Sequence, residues 1–257
     1  MSIRVRPARP RPGQRPPTTR VPEGRVVYAV GDVHGRADLL AELLAAIAAD
    51  SARRPPGPRV LVPLGDYWSR GPAVRRVLDL VTAGLPGFRT VALKGNHEDL
   101  IDRFLAGDLV AGRQWLQHGG MAALAEYGID AGRAPDLSDP ALSELRVAFR
   151  AAMPAAHRAF LDQLAVCHRE GNVLFVHAGI APGVPVAQQD PRHMMWIREP
   201  FLSSEVDHGV VVVHGHQISA KPQVRFNRIG IDTGAYKSGR LTALALAGSE
   251  LLLLQTD

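Results

Sequence analysis

The stretch "RVVYAVGDVHG", residues 25–35, decides the fold, because an unbroken apolar run ends abruptly in a polar cluster. A short run of this kind, bounded here by Gly31, is typical of a buried strand. The next segment, residues 36–50, carries its large apolar side chains on one helical stripe, namely Leu39, Leu40, Leu43, Leu44 and Ile47. The sequence thus predicts a strand, a polar loop and a helix in succession.

The same succession occurs again further along the chain. "PRVLVPLGD" at 58–66 predicts a second strand, "AVRRVLDLVTAG" at 73–84 a helix, and "FRTVALKGNHE" at 88–98 a third strand. Repeated strand–helix units indicate an α/β protein with a largely parallel sheet. Such sheets carry their chemistry at the carboxyl ends of the strands.

The rest of the chain has a different pattern. Residues from about 99 to 168 are predicted to form a mostly helical insert. Three more apolar runs end in polar clusters, "NVLFVHAG" at 172–179, "GVVVVHGHQ" at 209–217 and "RIGIDTGA" at 228–235, and a hairpin is expected at 240–255. We therefore expect residues 25–257 to form a single domain.

Residues 1–24 are predicted to be a disordered tail rich in Arg and Pro. The first twenty residues hold six arginines and no acid, and they supply much of the net charge of +5. The alternative is a basic arm that contacts nucleic acid, anionic lipid or an acidic partner. No aromatic residues interleave to stack bases, so nucleic acid is not expected as a partner.

The sequence gives two indications of location. No apolar run is long enough to span a bilayer, and the first residues lack the apolar stretch of a signal peptide. Cys167 is the single cysteine, so it cannot form an internal disulfide, which fits a reducing compartment. We expect a cytoplasmic protein without a membrane span.

Polar residues end five of the predicted strands. They are Asp32, His34, Asp66, Asn96, His97, His177, His214 and His216. One such residue alone is more often a cap or a loop hydrogen bond, but a sheet brings all its strand ends to one edge. Imidazole, carboxylate and amide ligands suit Mn²⁺, Fe and Zn²⁺. The set is too large for one tetrahedral ion, and phosphoesterases usually share a carboxylate between two ions roughly 3.5–4 Å apart.

Five ordered blocks resemble the signature of calcineurin-like metallophosphoesterases. They are "GDVHG" at 31–35, "GDYWSRGP" at 65–72, "GNHED" at 95–99, "HAG" at 177–179 and "HGHQ" at 214–217. The resemblance covers roughly residues 25–247 and is greatest to the phosphoprotein-phosphatase branch, in its bacterial serine/threonine form. It implies a four-layer sandwich of two β-sheets flanked by helices, with a dinuclear metal site at the strand ends. The strand pattern alone gives only α/β.

The resemblance also implies a set of metal ligands. Asp32 and His34 would bind the first of two divalent ions, and Asp66 would bridge both. The second ion would take Asn96, His177 and His216. Mn²⁺ is the expected metal, with Fe and Zn²⁺ as alternatives. His214 is expected to support His216 or to be an ordinary buried histidine.

The mechanism implied by the resemblance is in-line attack of a metal-bridging hydroxide on phosphorus. Arg70 would hold the phosphate bidentately, and Arg198 would be a second clamp. His97 would protonate the leaving oxygen as general acid. Five further histidines lack partner spacing and are expected to have ordinary roles, namely His118, His157, His168, His193 and His208.

Ser69 departs from the phosphatase pattern, in which an Asp at this position accepts a hydrogen bond from the general-acid histidine, here His97. A serine supplies no negative charge, so His97 should carry protons less well. That change favours phosphoanhydride substrates, and the symmetrical diadenosine-tetraphosphate hydrolases resemble this chain in having a small non-acidic residue there. Glu98, "WIREPF" at 196–201 and "DTGAYKSGRL" at 232–241 favour the protein phosphatases instead.

On balance, the sequence predicts a metal-dependent phosphatase of phosphoserine and phosphothreonine, with phosphotyrosine as a further substrate. The first alternative is a symmetrical diadenosine-tetraphosphate hydrolase, acting on dinucleoside polyphosphates. The second is a weakened or regulatory pseudo-phosphatase. The expected partner is a phosphoprotein or a phosphorylated small molecule.

Overall fold

The structure is a computed structural model that describes residues 3–130 and 137–257. This part of the protein contains eleven strands and nine α-helices. The strands are β1 (Ile3–Pro7), β2 (Val26–Val30), β3 (Arg59–Pro63), β4 (Phe88–Thr90), β5 (Cys167–Glu170), β6 (Val173–Val176), β7 (Val211–His214), β8 (Gln223–Val224), β9 (Arg228–Gly230), β10 (Thr242–Ala247) and β11 (Glu250–Thr256). The helices are α1 (Ala37–Ala52), α2 (Val74–Ala83), α3 (Asn96–Ala106), α4 (Leu109–Trp115), α5 (Met121–Glu126), α6 (Asp139–Ala152), α7 (Ala155–Gln163), α8 (Pro191–Trp196) and α9 (Ala235–Ser238).

The strands form two sheets. The first has the order β1-β11-β10-β2-β3-β4, and the second has the order β5-β6-β7-β9-β8. β2, β3 and β4 are parallel, as are β6, β7 and β9, while β10 and β11 form the expected hairpin. Parallel neighbours bring their carboxyl ends to one edge of each sheet, which is where the polar clusters follow.

The core consists of layers on both sides of each sheet. Alternate residues of β2 point in opposite directions, so Val27 and Ala29 lie between the sheets with Phe175 and Val213 of the second sheet. Val26, Tyr28 and Val30 instead contact the stripe of leucines on α1. On the far side, β6 and β7 contact Met194 of α8 and Phe201. The predicted arrangement of two sheets flanked by helices is confirmed.

The N-terminal segment differs from the expected disordered tail. β1 pairs antiparallel with β11, from Ile3 opposite Thr256 to Pro7 opposite Leu252. β11 has a free edge that the hairpin with β10 leaves unpaired, and pairing satisfies the backbone groups of both strands. The sequence could not indicate this because the partner lies at the other end of the chain. Residues 1–2 of the tail lie outside the described residues.

The segment predicted as a helical insert contains the later turns of α3 and helices α4 to α7, apart from 131–136, which lie outside the described residues. Between α4 and α5 the helix opens into a wide turn at Leu116–Gly120, where His118 and Gly119 leave helical geometry. No helix in the described ranges is both long and apolar enough to cross a membrane.

Candidate active site

The residues predicted as ligands come together at the carboxyl ends of the strands. Asp32 and His34 follow β2, Asp66 follows β3, His177 follows β6, and His216 follows β7. Asn96 and His97 begin α3, and all of these side chains are buried. Four strand ends and the start of α3 therefore meet at one site, whereas the third strand predicted to reach residue 98 ends at Thr90.

Two clusters share the carboxylate of Asp66. The first places His34 Nε2 at 3.5 Å and His97 Nε2 at 3.8 Å from Asp66 Oδ2. The second places His177 Nε2 at 3.5 Å from Asp66 Oδ1, with His216 within 4.8 Å of both. One carboxylate that faces two groups of imidazoles is the arrangement that a pair of metal ions requires.

Asn96 and Asp32 lie beside these clusters. Asn96 Oδ1 lies 3.0 Å from His177 Nε2 and 2.9 Å from His216 Nδ1, so it belongs to the second cluster. Asp32 Oδ2 accepts a hydrogen bond from His216 N at 2.9 Å, while its buried Oδ1 has no hydrogen-bond partner among the described residues. A Cβ at Gly215 would lie 2.0 Å from Asp32 Oδ1, so glycine is needed for this close approach.

The charges of these clusters fit divalent cations. Burial, with the nearby carboxylates of Asp232 and Asp66, raises the pKa of Asp32 well above its usual value, and burial raises the pKa of Asp66 to about 7. Burial lowers the pKa of His177 to about 4 and that of His34 well below its usual value. Neutral imidazoles offer lone pairs, and buried carboxylates need a positive partner. The donor set of Asp, His and Asn therefore suits ions such as Mn²⁺, Fe or Zn²⁺.

The backbone at this site is unusual. His34, Asp66, Arg70 and His216 have φ of 45°, 56°, 68° and 62°, and they are the only non-glycine residues with positive φ in the described chain. Left-handed backbone is costly for residues with a Cβ and tends to persist at functional sites. No glycine marks these positions, so this feature could not be predicted from the residue types.

Ser69 contacts a residue other than the expected one. Its Oγ lies 2.9 Å from His34 Nδ1, and both side chains are buried. A proton on His34 Nδ1, donated to Ser69, leaves the Nε2 lone pair facing Asp66. His97 Nδ1 is buried and has no hydrogen-bond partner in the described ranges. Burial and the charge of Arg70 lower the pKa of His97 well below its usual value, so its imidazole is neutral near pH 7.

Glu98 fixes the loop that carries Asp66 and Ser69. Its carboxylate accepts hydrogen bonds from the backbone N–H groups of Gly95, Asp66, Tyr67 and Trp68, at 3.0, 2.8, 2.9 and 3.2 Å. Burial raises the pKa of Glu98 to about 7. The residue that favoured a protein phosphatase in the sequence thus holds the shape of the loop, a role that any phosphoryl substrate would require.

Arg70 is held over the site from several sides. Its N–H donates to Gly119 O at 2.9 Å and its Nε to His118 O at 3.3 Å, so the wide turn Leu116–Gly120 supports it. Its guanidinium lies 4.5 Å from the ring centroid of Tyr236, and its Nη2 lies 3.3 Å from His97 Nε2. Sequence reasoning assigned Arg70 but missed Tyr236 and the backbone role of His118.

The cleft above the clusters has a volume of about 450 Å³. Arg70 and Arg198 line it with Trp196 and Tyr236, while His118 and Asp232 lie at its wall. Trp196 Nε1 donates to Asp99 Oδ2 at 2.9 Å, which fixes its ring at the cleft. Two arginines and two aromatic side chains around buried carboxylates suit a substrate with both phosphates and rings.

His214 lies outside both clusters. Its Nδ1 lies 3.0 Å from Gly215 O and its Nε2 3.2 Å from Arg228 Nη1, so both ring nitrogens are engaged. The choice of His216 rather than His214 as the candidate ligand therefore agrees with the geometry. Burial lowers the pKa of Arg228 to about 10.

Comparison with known proteins identifies a matching family, related sequences and solved structures of similar fold. The model of the calcineurin-like phosphoesterase family matches residues 25–239. The bis(5′-nucleosyl)-tetraphosphatase PrpE [asymmetrical] of Anoxybacillus flavithermus is 25% identical over 234 residues, which cover 84% of this chain and 88% of the relative. The PrpE of Halalkalibacterium halodurans is 26% identical over 232 residues, covering 84% and 87%.

Solved structures agree on the fold. A chain provisionally named a diadenosine tetraphosphatase has a TM-score of 0.60 at 20% identity, over 94% of this chain and 96% of that one. The cold-active protein-tyrosine phosphatase of a psychrophilic Shewanella has a TM-score of 0.52 at 18% identity, over 96% and 86%. These identities are too low to carry more than the fold.

The prediction of a phosphoserine and phosphothreonine phosphatase is contradicted by these relatives, whose names refer to dinucleoside tetraphosphates. Two residues of the sequence blocks behind that prediction support the site's own shape, since Glu98 holds the loop and Tyr236 contacts Arg70. The relatives favour the first alternative, except that they are named for asymmetrical rather than symmetrical cleavage.

Proposed function

Because the chain belongs to the calcineurin-like phosphoesterase family, we propose that it is a phosphoesterase that hydrolyses dinucleoside polyphosphates, with diadenosine tetraphosphate as the representative substrate. The names of the PrpE relatives support this substrate class and an asymmetrical cut. Hydrolysis would break one phosphoanhydride bond with water and release two nucleotides.

The observation that carries the proposal is the environment of His97. Its Nδ1 has no hydrogen-bond partner in the described ranges, because Ser69 bonds to His34 instead. A neutral imidazole whose Nδ1 no carboxylate supports, and whose Nε2 faces the cationic Arg70, is a poor general acid. A serine or threonine alkoxide needs a proton in order to leave, whereas a nucleotide leaves from an anhydride with its charge already spread over phosphate oxygens. The site is therefore better suited to anhydrides than to phosphoserine.

Two divalent ions, Mn²⁺ first among them, are proposed for the two clusters. Asp32, His34 and Asp66 would hold one, and Asp66, Asn96, His177 and His216 the other. When bound, such ions supply an activated water and neutralise charge on phosphate oxygens. The chain's own contribution is to hold the donor atoms, with His34 turned by Ser69 so that Nε2 faces Asp66.

The cleft residues are proposed to bind the substrate. Arg70, with its guanidinium fixed by Tyr236 and the carbonyl of His118, would donate two parallel hydrogen bonds to phosphate oxygens. Arg198 would contact the adjacent phosphate group of the substrate. Trp196 offers a ring for a nucleobase, and base–aromatic stacking contributes about 1–3 kcal/mol.

The domain boundaries, the cellular location and the partner of the protein are also proposals. Residues 25–257 are proposed as one catalytic domain that includes the helical segment beside the cleft, and β1 adds an edge strand to it from outside those bounds. A cytoplasmic location is proposed from the single Cys167. A phosphorylated small molecule is the proposed partner.

The test is a comparison of kcat/KM in Mn²⁺ for diadenosine tetraphosphate, a phosphoserine peptide and an aryl phosphate, with products separated by chromatography. We expect diadenosine tetraphosphate to exceed the peptide at least about tenfold, the low end of the loss expected for a missing supporting partner. ATP with AMP would mark an asymmetrical cut, and two ADP a symmetrical one. Faster turnover of the peptide, or turnover of none of the three, would refute the proposal.

A further inference from the structure

A second concave surface, the basic groove, lies outside the candidate active site. Residues 6–14 line one side of it and residues 219–225 line the other, around a volume of about 540 Å³. Its charged side chains are all positive, namely Arg6, Arg9, Arg11, Lys221 and Arg225. Among the described residues that line the groove, none is acidic and none is aromatic.

The cations of the basic groove lack counter-ions. Elsewhere in the protein arginines pair closely with acids, as Arg54 does with Asp50 at 2.6 Å. Arg6, Arg9, Arg11 and Lys221, by contrast, form no ion pair within residues 3–130 and 137–257, and Arg225 reaches only an exposed Glu205 at 3.8 Å. Unpaired charges of one sign in a concave surface concentrate ions of the opposite sign.

The wall that carries three of these arginines is anchored. At its N-terminal end, β1, which carries Arg6, pairs with β11. At its C-terminal end, the guanidinium of Arg15 lies 5.4 Å from the ring centroid of Phe226. Further on, Asn172 Nδ2 donates to Thr18 O at 2.8 Å and Arg20 N donates to Asn172 Oδ1 at 2.6 Å. The backbone between these anchors is therefore held in place before any ligand arrives, which lowers the entropy cost of binding.

We propose that the basic groove binds a linear chain of phosphates, of the class of inorganic polyphosphate. Arginine forks match phosphate oxygens bidentately. Proteins that bind single-stranded nucleic acid add aromatic side chains that stack on the bases. The groove has none, and the nearby Phe226 lies outside its lining, with the guanidinium of Arg15 5.4 Å from its ring centroid. A ligand recognised by charge alone, without bases, fits these contacts.

The basic groove begins beside the active-site cleft. Ile218 lines the cleft and Ser219, the next residue, lines the groove. Ser219 N also donates to Asp232 O at 3.1 Å, and Asp232 lies in the cleft wall. A phosphate chain in the groove would therefore lie next to the cleft, although its binding does not depend on the proposed hydrolysis.

The experiment measures binding of medium-length linear polyphosphate by calorimetry over a range of salt concentrations without added divalent metal. The test variant is Arg9→Glu with Lys221→Glu. The matched control is Arg53→Glu with Arg76→Glu, two exposed arginines that have no ion pair within the described chain and give the same change in net charge. We expect binding to fall at least about tenfold in the test variant only, with a salt slope shallower by about two.

Three results would overturn the proposal. The control variant could lose as much affinity as the test variant, which would mean that net charge alone attracts the ligand. Arg70→Ala could abolish binding, which would place the polyphosphate in the cleft. A single-stranded RNA of equal charge could bind more tightly than polyphosphate, which would make the groove a nucleic-acid surface.

Discussion

Ser69→Ala tests the hydrogen bond between Ser69 and His34, which the structure shows in place of the expected contact between residue 69 and His97. Ser69 is fully buried, and its Oγ is the partner of His34 Nδ1 at 2.9 Å. When Nε2 of His34 binds a metal, Nδ1 carries the proton, so the variant would leave a buried N–H without a partner, which costs about 1–3 kcal/mol. At 1.4 kcal/mol per factor of ten, this corresponds to a loss of about 5–150-fold. Outer partners of metal-bound histidines give a similar range, about 10–100-fold.

The loss should fall on metal affinity. We expect the Mn²⁺ concentration that half-activates diadenosine tetraphosphate hydrolysis to rise by that factor, and calorimetry of the metal-free protein to give the same factor without any turnover. Ser203→Ala is the matched control, because Ser203 is an exposed serine whose Oγ bonds to Glu199 at 2.6 Å, outside the residues that line the cleft. It should bind Mn²⁺ as the parent does.

Two results would refute this reasoning about Ser69. Unchanged Mn²⁺ binding would mean that Ser69 does not hold His34. A loss confined to substrates with poor leaving groups, with normal metal affinity, would mean that Ser69 acts through His97 after all.

Three other substitutions separate the roles of single residues. His97→Ala should lower kcat/KM for diadenosine tetraphosphate less than for an aryl phosphate, since the anhydride leaving group needs less proton transfer; equal losses would mean that His97 does not act by protonating the leaving group. Arg70→Ala should lower kcat/KM by about 10–150-fold, from the loss of charge-assisted hydrogen bonds of about 1.5–3 kcal/mol, with KM raised and kcat lowered. Glu170→Gln should lower the free energy of unfolding at pH 7 by about 1–3 kcal/mol, because Arg25, Arg89 and His168 all donate to this buried carboxylate. Burial alone would raise the pKa of Glu170, but hydrogen bonds from Arg25 and His168 hold that pKa below its usual value of about 4.3. The difference in the free energy of unfolding between the variant and the parent should therefore be complete above about pH 4.3. It should shrink as the pH falls through the lower pKa of the folded protein. Urea titrations at pH 7 and in acid check this, and a difference that does not shrink in acid would contradict it.

The strand ends could be predicted because their signal is local. Each apolar run stops at a polar cluster, and parallel topology brings Asp32 and Asp66 to one edge of the first sheet, whereas His177 joins them through the packing of the second sheet, which the strand pattern alone did not predict. The ligand roles of those residues stay predictions, but the sequence pattern and the observed geometry agree on which side chains meet.

The orientation of Ser69 could not be predicted because it depends on backbone geometry rather than on residue type. The loop turns at Asp66 and Arg70 with positive φ, and Glu98 fixes it through four backbone N–H groups. In that conformation the Oγ of Ser69 lies against His34 Nδ1 rather than His97. The pairing of β1 with β11 was missed for a related reason, since it joins residues more than two hundred positions apart.

The four residues of the site with left-handed backbone lower the stability of the protein while supplying side chains that the site uses. Each such residue stores strain of about 1–3 kcal/mol, in a domain whose total stability is about 5–15 kcal/mol. Histidine and aspartate tolerate this backbone better than most residues, so Arg70 is the most strained of the four. Glycine would relieve the strain at every one of them while removing a side chain that the site uses. A selection for heat resistance alone would therefore favour glycine at His34, Asp66, Arg70 and His216, and the survivors would be durable but inactive proteins.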